Sequence, residues 1–170
     1  MNLNYFFSGL DTGSYEYMGC HKLDDGVEFY LWAPHAYKVE VFMSKDDYKI
    51  FYPLEKTDER GIWHLYLPDC EMKHVYRYRI YSDEDTWQDK SDPYAFFSEL
   101  RPANASIMYD SKYVFTDQDY LNRHHFSREE PLNIYEVHLN GFRHKDGSVS
   151  YAQLKDELIP YVRNMGYTHI

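Results

Sequence analysis

Apolar and polar residues alternate with the period of half-buried strands along Val27 to Ala33, Lys38 to Met43, Gly61 to Leu67 and Val75 to Tyr81. Polar or proline-containing turns separate these runs at Ala33-Pro34, Asp58 to Gly61 and Pro68-Asp69. Short strands at such intervals predict an antiparallel sandwich. In the third run, Trp63, Leu65 and Leu67 share the expected core face. In the fourth, Tyr76, Tyr78 and Ile80 share one face and Arg77 and Arg79 the other, so the arginine face should meet solvent or a ligand. Residues 1–20, with three glycines among Tyr5, Phe6, Phe7, Tyr15 and Tyr17, read as an irregular lead-in that packs its rings onto the adjoining β module.

The period changes after residue 130. Leu132 to Leu139 is rich in strand formers, whereas Leu154, Leu158, Tyr161, Val162 and Met165 recur at the spacing of one helical face within Tyr151 to Met165. Tyr167 to Ile170 then starts a second strand, and the order strand, helix, strand predicts a parallel pair. Such a pair needs further βα units to cover it, so residues 131–170 read as the opening of a larger α/β domain. Ser150 with Gln153 forms a capping-box pair, and Gly166 stands where a left-handed helix end is expected. Pro160 removes a backbone donor and predicts a kink or restart. An apolar face this exposed should pack on the sandwich, pair with a second copy, or fray.

Between the two regions, Ser82 to Asp89 is acidic and turn-like with Trp87 inside it. That indole either folds back onto the sandwich or offers a stacking platform for a sugar ring. Asp92-Pro93-Tyr94 sets a turn, Ser106 to Asp110 permits one more strand, and residues 111–130 form a connector without periodicity. The expected organisation is thus a lead-in at 1–20, a β module at 21–110, a connector at 111–130 and a βα segment at 131–170.

Composition narrows the partners. A formal net charge of −10 argues against nucleic acid and anionic membrane, both of which need clustered Lys and Arg. The 19 Tyr, 10 Phe and 3 Trp suit half-buried sheet surfaces and carbohydrate faces alike. Cys20 and Cys70 stand far apart and read as buried free thiols. The histidines, including His124-His125 and His144, lack metal-ligand spacing, so no metal or other cofactor is expected. Met1 to Leu10 has neither a basic start nor a long apolar run, which favours the cytoplasm. The carboxylate pairs Asp46-Asp47 and Glu129-Glu130 sit in polar connecting segments and read as solvated charge.

Several motifs together resemble the glycogen (1,4-α-glucan) branching enzymes of the α-amylase superfamily. They are Phe29-Tyr-Leu-Trp-Ala-Pro34 with Val39-Glu-Val41, Gly61-Ile-Trp63, Tyr76-Arg-Tyr78, Asp92-Pro-Tyr-Ala-Phe96 and Arg101-Pro-Ala-Asn-Ala-Ser106. Ile134-Tyr-Glu-Val-His-Leu139, Ser150-Tyr-Ala-Gln-Leu154 and Met165-Gly-Tyr-Thr-His-Ile170 come after them in order. The resemblance implies an immunoglobulin-like, carbohydrate-binding β-sandwich at 21–110. It also implies the first βα unit of a truncated (β/α)8 catalytic barrel at 131–170. The parent enzyme would cleave α-1,4 bonds and form α-1,6 branches through an Asp nucleophile and a Glu acid/base.

Those carboxylates lie on later barrel strands in the family, so no catalytic residue is expected here. Glu136 matches the family's Tyr-Glu-Val-His run and reads as structural. The remainder of the barrel is then a partner of this segment, and α-glucan the ligand of the module. By resemblance to starch- and glycogen-binding modules, Arg77 and Trp87 are the candidate glucan contacts. Where the family often carries Gly-Asp-Phe-Asn-x-Trp, this chain reads Met43-Ser-Lys-Asp-Asp-Tyr48, which makes Tyr48 the candidate replacement for the lost Trp. Two alternatives stay open: a free-standing glycan-binding or scaffolding module, and the N-terminal part of an α-1,6 debranching enzyme of pullulanase or isoamylase type.

Overall fold

The computed structural model describes residues 2–45, 48–72, 74–123, 129–142 and 150–170. Asp46, Asp47, His124, His125 and His144 lie outside them. The chain forms two compact units, Met1–Tyr113 and Val114–Ile170.

The first unit begins with helix α1 (Leu3–Phe7), capped by the Asn2 side chain accepting from the Tyr5 amide. Among the described residues ten strands follow: β1 (Gly19–Leu23), β2 (Gly26–Trp32), β3 (Lys38–Lys45), β4 (Tyr48–Pro53), β5 (Glu55–Asp58), β6 (Ile62–Pro68), β7 (Val75–Tyr81), β8 (Trp87–Lys90), β9 (Phe97–Ser98) and β10 (Ser106–Ile107). They build an antiparallel, immunoglobulin-like sandwich, with sheet orders β1-β2-β6-β5 and β4-β3-β7-β10-β9. Strands β8 and β10 share one edge of β7, β10 along Val75 and Tyr76 and β8 along Tyr78 to Tyr81.

Alternation does what it predicts. Val27, Phe29 and Leu31 of β2, Val39, Val41 and Met43 of β3, and Tyr76 and Tyr78 of β7 fill the space between the sheets with Trp63, Leu54 and Met108. Leu65 and Leu67 pack against this core. Ile62 is buried as well despite its opposite parity, at the end of β6 that pairs with β5 across a bulge. Arg77 and Arg79 stand on the outer face, as their parity requires. Cys20 is buried and Cys70 half-buried, both as free thiols, and burial pushes both thiols upward from their ordinary range.

The lead-in is partly helical rather than irregular throughout. Its rings do pack on the sandwich: Phe6 and Phe7 meet Trp32 edge-on at 5.7 and 6.0 Å, and the Arg60 guanidinium lies 4.1 Å from the Phe7 ring centre.

In the second unit, α2 (Gln118–Arg123) lies in the expected connector and α3 (Tyr151–Asn164) occupies the expected helix. Both halves of the Ser150–Gln153 capping box are made, and Gly166 takes a φ of 76°. The helix continues through Pro160 instead of restarting. Leu154, Leu158 and Val162 are buried with Phe142, against Tyr135, Val137 and Leu139. The segment expected as a full strand makes a single parallel bridge among the described residues, Ile134 to His169, closed by Tyr135 N–H donating to His169 O at 2.9 Å. Glu136 and His138 alternate outward and are exposed.

Candidate functional site

The outer face of the second sheet gathers the polar and aromatic residues of four strands. Register places Phe42 of β3 opposite Phe51 of β4 and Arg77 of β7, Arg79 opposite Asp89 of β8, and Tyr81 opposite Trp87. Arg79 is the hub. Its Nε and Nη2 donate in parallel to Asp89 Oδ1 and Oδ2 at 2.8 and 3.0 Å. Its guanidinium also lies 4.7, 5.5 and 5.1 Å from the ring centres of Phe51, Phe42 and Trp87. The bonds from Arg79 hold the Asp89 carboxyl below its usual range. Beside this hub, Tyr81 Oη donates to Glu40 Oε2 at 2.7 Å, and Lys38 pairs with the same carboxylate at 2.7 Å.

Arg77 sits further along β7 in a polar basin with Ser44, Lys49, Asp89 and Glu99, where its Nη2 donates to Asn104 Oδ1. Arg77 and Trp87 therefore share one sheet face. Trp87 pairs with Tyr81, four residues beyond Arg77, so the two are separated by about 13 Å along the strand. Tyr48 is exposed but has the parity of Ile50 and Tyr52, which pair with the core residues Met43 and Val41. It projects away from the face that carries Arg77 and Trp87. Alternation along Tyr48 to Pro53 holds that answer once β4 is recognised, whereas the comparison with the family's Gly-Asp-Phe-Asn-x-Trp loop treats Tyr48 as a loop residue.

Trp87 borders a different depression. A mainly apolar cleft of about 350 Å³ opens between β8 and the Ala33–Ala36 turn, lined by Trp32, Pro34, Ile80, Ser82, Thr86 and Gln88 among others. Trp32 and Trp87 are each 49% exposed, whereas Trp63 is 5% exposed. The Trp32 indole N–H is already committed, donating to Arg60 O at 3.0 Å. Sequence reasoning misses both Arg79 and Trp32 as site residues. The outward parity of Arg79 is legible, but Trp32 counts there only as part of a family motif.

One buried carboxylate belongs to the fold rather than to a site. Asp92 Oδ2 accepts from Tyr76 Oη at 2.6 Å and Tyr78 Oη at 3.3 Å, while Oδ1 accepts from the Tyr94 amide at 2.8 Å. Its own amide donates to Ser106 Oγ at 2.8 Å. Desolvation pushes its carboxyl above the ordinary value despite these donors. Among the described residues no group of three His, Cys, Asp or Glu side chains is placed to hold a metal, and no helix is long and apolar enough to cross a membrane.

The chain has counterparts among known proteins. Residues 17–95 match Carbohydrate-binding module 48 (Isoamylase N-terminal domain). The chain is 34% identical over 181 residues to a 1,4-alpha-glucan branching enzyme of Clostridium perfringens, covering 100% of this chain and 27% of that protein. It is 37% identical over 180 residues to the branching enzyme of Geobacillus stearothermophilus, covering 100% of this chain and 28% of that one. The chain thus spans little more than a quarter of the length of these relatives. Among solved structures, a pullulanase from Anoxybacillus sp. LM18-11 superposes with a TM-score of 0.65 at 19% identity, over 93% of this chain and 26% of that one, a likeness of fold. Residues 17–95 thus resemble carbohydrate-binding module 48, in a chain that is similar along its whole length to part of the 1,4-alpha-glucan branching enzymes.

Proposed function

We propose that this chain is the N-terminal portion of an enzyme that cleaves α-1,4 bonds in glucans and rejoins the freed chains as α-1,6 branches. In that reading the segment is catalytically inactive alone, its module holds α-glucan on the outer face of the second sheet, and its partners are glucan and the remainder of the catalytic barrel. A cytoplasmic location goes with it. The observation that carries the binding site is the placement of Arg77 and Trp87 on one face, about 13 Å apart along β7. Arg77 offers donors to sugar hydroxyls, and the half-exposed indole offers an apolar plate to the C–H-rich face of a pyranose. One sugar ring cannot reach both. The site therefore reads an extended chain of several glucose units. Tyr48, on the other side of its sheet, contributes at most at the rim.

Affinity electrophoresis through glycogen tests the site. Wild-type chain is expected to be retarded, with Trp87→Ala and Arg77→Ala each losing about tenfold in affinity; equal retardation of all three would remove the site. Incubation with amylose should leave its iodine colour unchanged, and new α-1,6 linkages would overturn the claim of inactivity.

A further inference from the structure

We propose that the cleft between β8 and the Ala33–Ala36 turn is a second carbohydrate subsite, in which Trp32 and Trp87 border the apolar floor and Ser82, Thr86 and Gln88 supply the polar rim. The inference rests on the reading of the module as an α-glucan binder and adds a site that Arg77 does not reach.

The rings of the outer face are partly covered. Arg79 lies against Phe42, Phe51 and Trp87 together, so they are engaged by a guanidinium that is itself locked to Asp89. The part of the Trp87 ring that Arg79 leaves open serves the outer face, and the same residue borders the cleft, where Trp32 adds a second ring.

Trp32 is held ready for this. Phe6 and Phe7 press on it edge-on, and its only polar side-chain atom is bonded to Arg60 O, so what it can offer a ligand is apolar ring surface. A ring fixed before binding loses little rotamer freedom on binding.

The chemistry of the walls selects the class of ligand. None of the described side chains lining the cleft is acidic; hydroxyls of Ser82 and Thr86, the amide of Gln88, the imidazole of His35 and the ammonium of Lys90 stand beside Pro34, Ile80 and the two indoles. A mainly apolar floor with several hydrogen-bonding groups and no carboxylate fits a polyhydroxyl ring, whose C–H face lies on the aromatics while its hydroxyls reach the rim. A volume of about 350 Å³ lies within the roughly 300–1,000 Å³ of small-ligand clefts, at the low end that suits a short oligosaccharide. Because Trp87 shares the outer face with Arg77 and also borders the cleft, a longer glucan can cross from that face over the β8 edge into the cleft.

Maltose separates the two subsites, since a disaccharide is too short to bridge about 13 Å. In a two-dimensional NMR titration of the 170-residue chain with maltose, the indole N–H signals of Trp32 and Trp87 are expected to move together with one midpoint, while the Arg77 side-chain signal stays still. Maltoheptaose is expected to move all three. The Trp32→Ala variant, if its spectrum otherwise keeps the wild-type dispersion, should raise the maltose midpoint about tenfold. Maltose shifting Arg77 but not Trp32 would overturn the cleft subsite and leave glucan binding intact. Maltoheptaose moving no signal would overturn glucan binding itself, and the subsite with it.

Discussion

Asp92 shows how a single residue can look functional and yet serve the fold. The side chain is 6% exposed and its carboxylate collects donors from β7 and from the turn after β8, tying the edge of the second sheet to the core. Replacing it by Asn leaves one of these donors facing an NH2 group, and the loss should be about 1–3 kcal/mol in urea unfolding. The pH dependence carries a sign. Its folded pKa is raised, so between the ordinary carboxylate value near 3.9 and the raised value the folded state keeps a proton that the unfolded state has lost. The contribution of Asp92 is therefore fully present below the ordinary value and declines as pH rises through the raised one. Subtracting the Asp92→Asn stability curve from that of the wild type should expose a contribution that falls with pH across this window; a flat difference would count against a raised pKa.

At the scale of elements, turns decide where the binding surfaces lie. The Ala33–Ala36 turn forms one wall of the cleft and rests on Gly61, whose φ of 96° is in the left-handed region and whose missing Cβ leaves room for Pro34. A Cβ there would come within 2.2 Å of Pro34 Cα, a backbone atom that cannot swing away. Gly61→Ala should cost about 2–4 kcal/mol in unfolding free energy, measured by denaturant titration. Strand β8 is the other wall. Its four residues Trp-Gln-Asp-Lys are too few and too polar to show a period, and they extend only because β7 offers a free edge and Arg79 waits opposite Asp89.

On the scale of the whole molecule, the chain divides between Tyr113 and Val114. Every residue of the outer face and of the cleft lies in the first unit, which closes its own core through two sheets. Residues 1–113 expressed alone should therefore keep the glycogen retardation of the full chain within about twofold, a difference small against the roughly tenfold steps expected of the site variants. Loss of retardation in a folded 1–113 fragment would mean that residues 114–170 take part in binding. The second unit has a smaller cluster, around Phe142, Leu154, Leu158 and Val162, and among its described residues one parallel bridge joins the strand segments. Parallel ladders are stable when neighbours cover both faces, which a single βα unit does not supply by itself.

Alternation alone determined much of this protein. Tyr76 and Tyr78 point inward and Arg77 and Arg79 outward because a strand has a period of two, and the Ser150–Gln153 cap and Gly166 bound a helix because orphaned backbone groups need partners. Such features depend on neighbours within a few residues, which a linear reading contains. Tertiary structure decided the rest. Pairing with β3 made Tyr48 part of a strand and not of a loop, and only then does alternation turn it away from the face of Arg77 and Trp87. Pairing of β8 with β7 made Trp87 part of a strand, and the crossing between sheets brought it to the same cleft as Trp32. These are contacts between residues distant in sequence, set by which edges and faces remain to be covered once local elements have formed, and no local pattern encodes them.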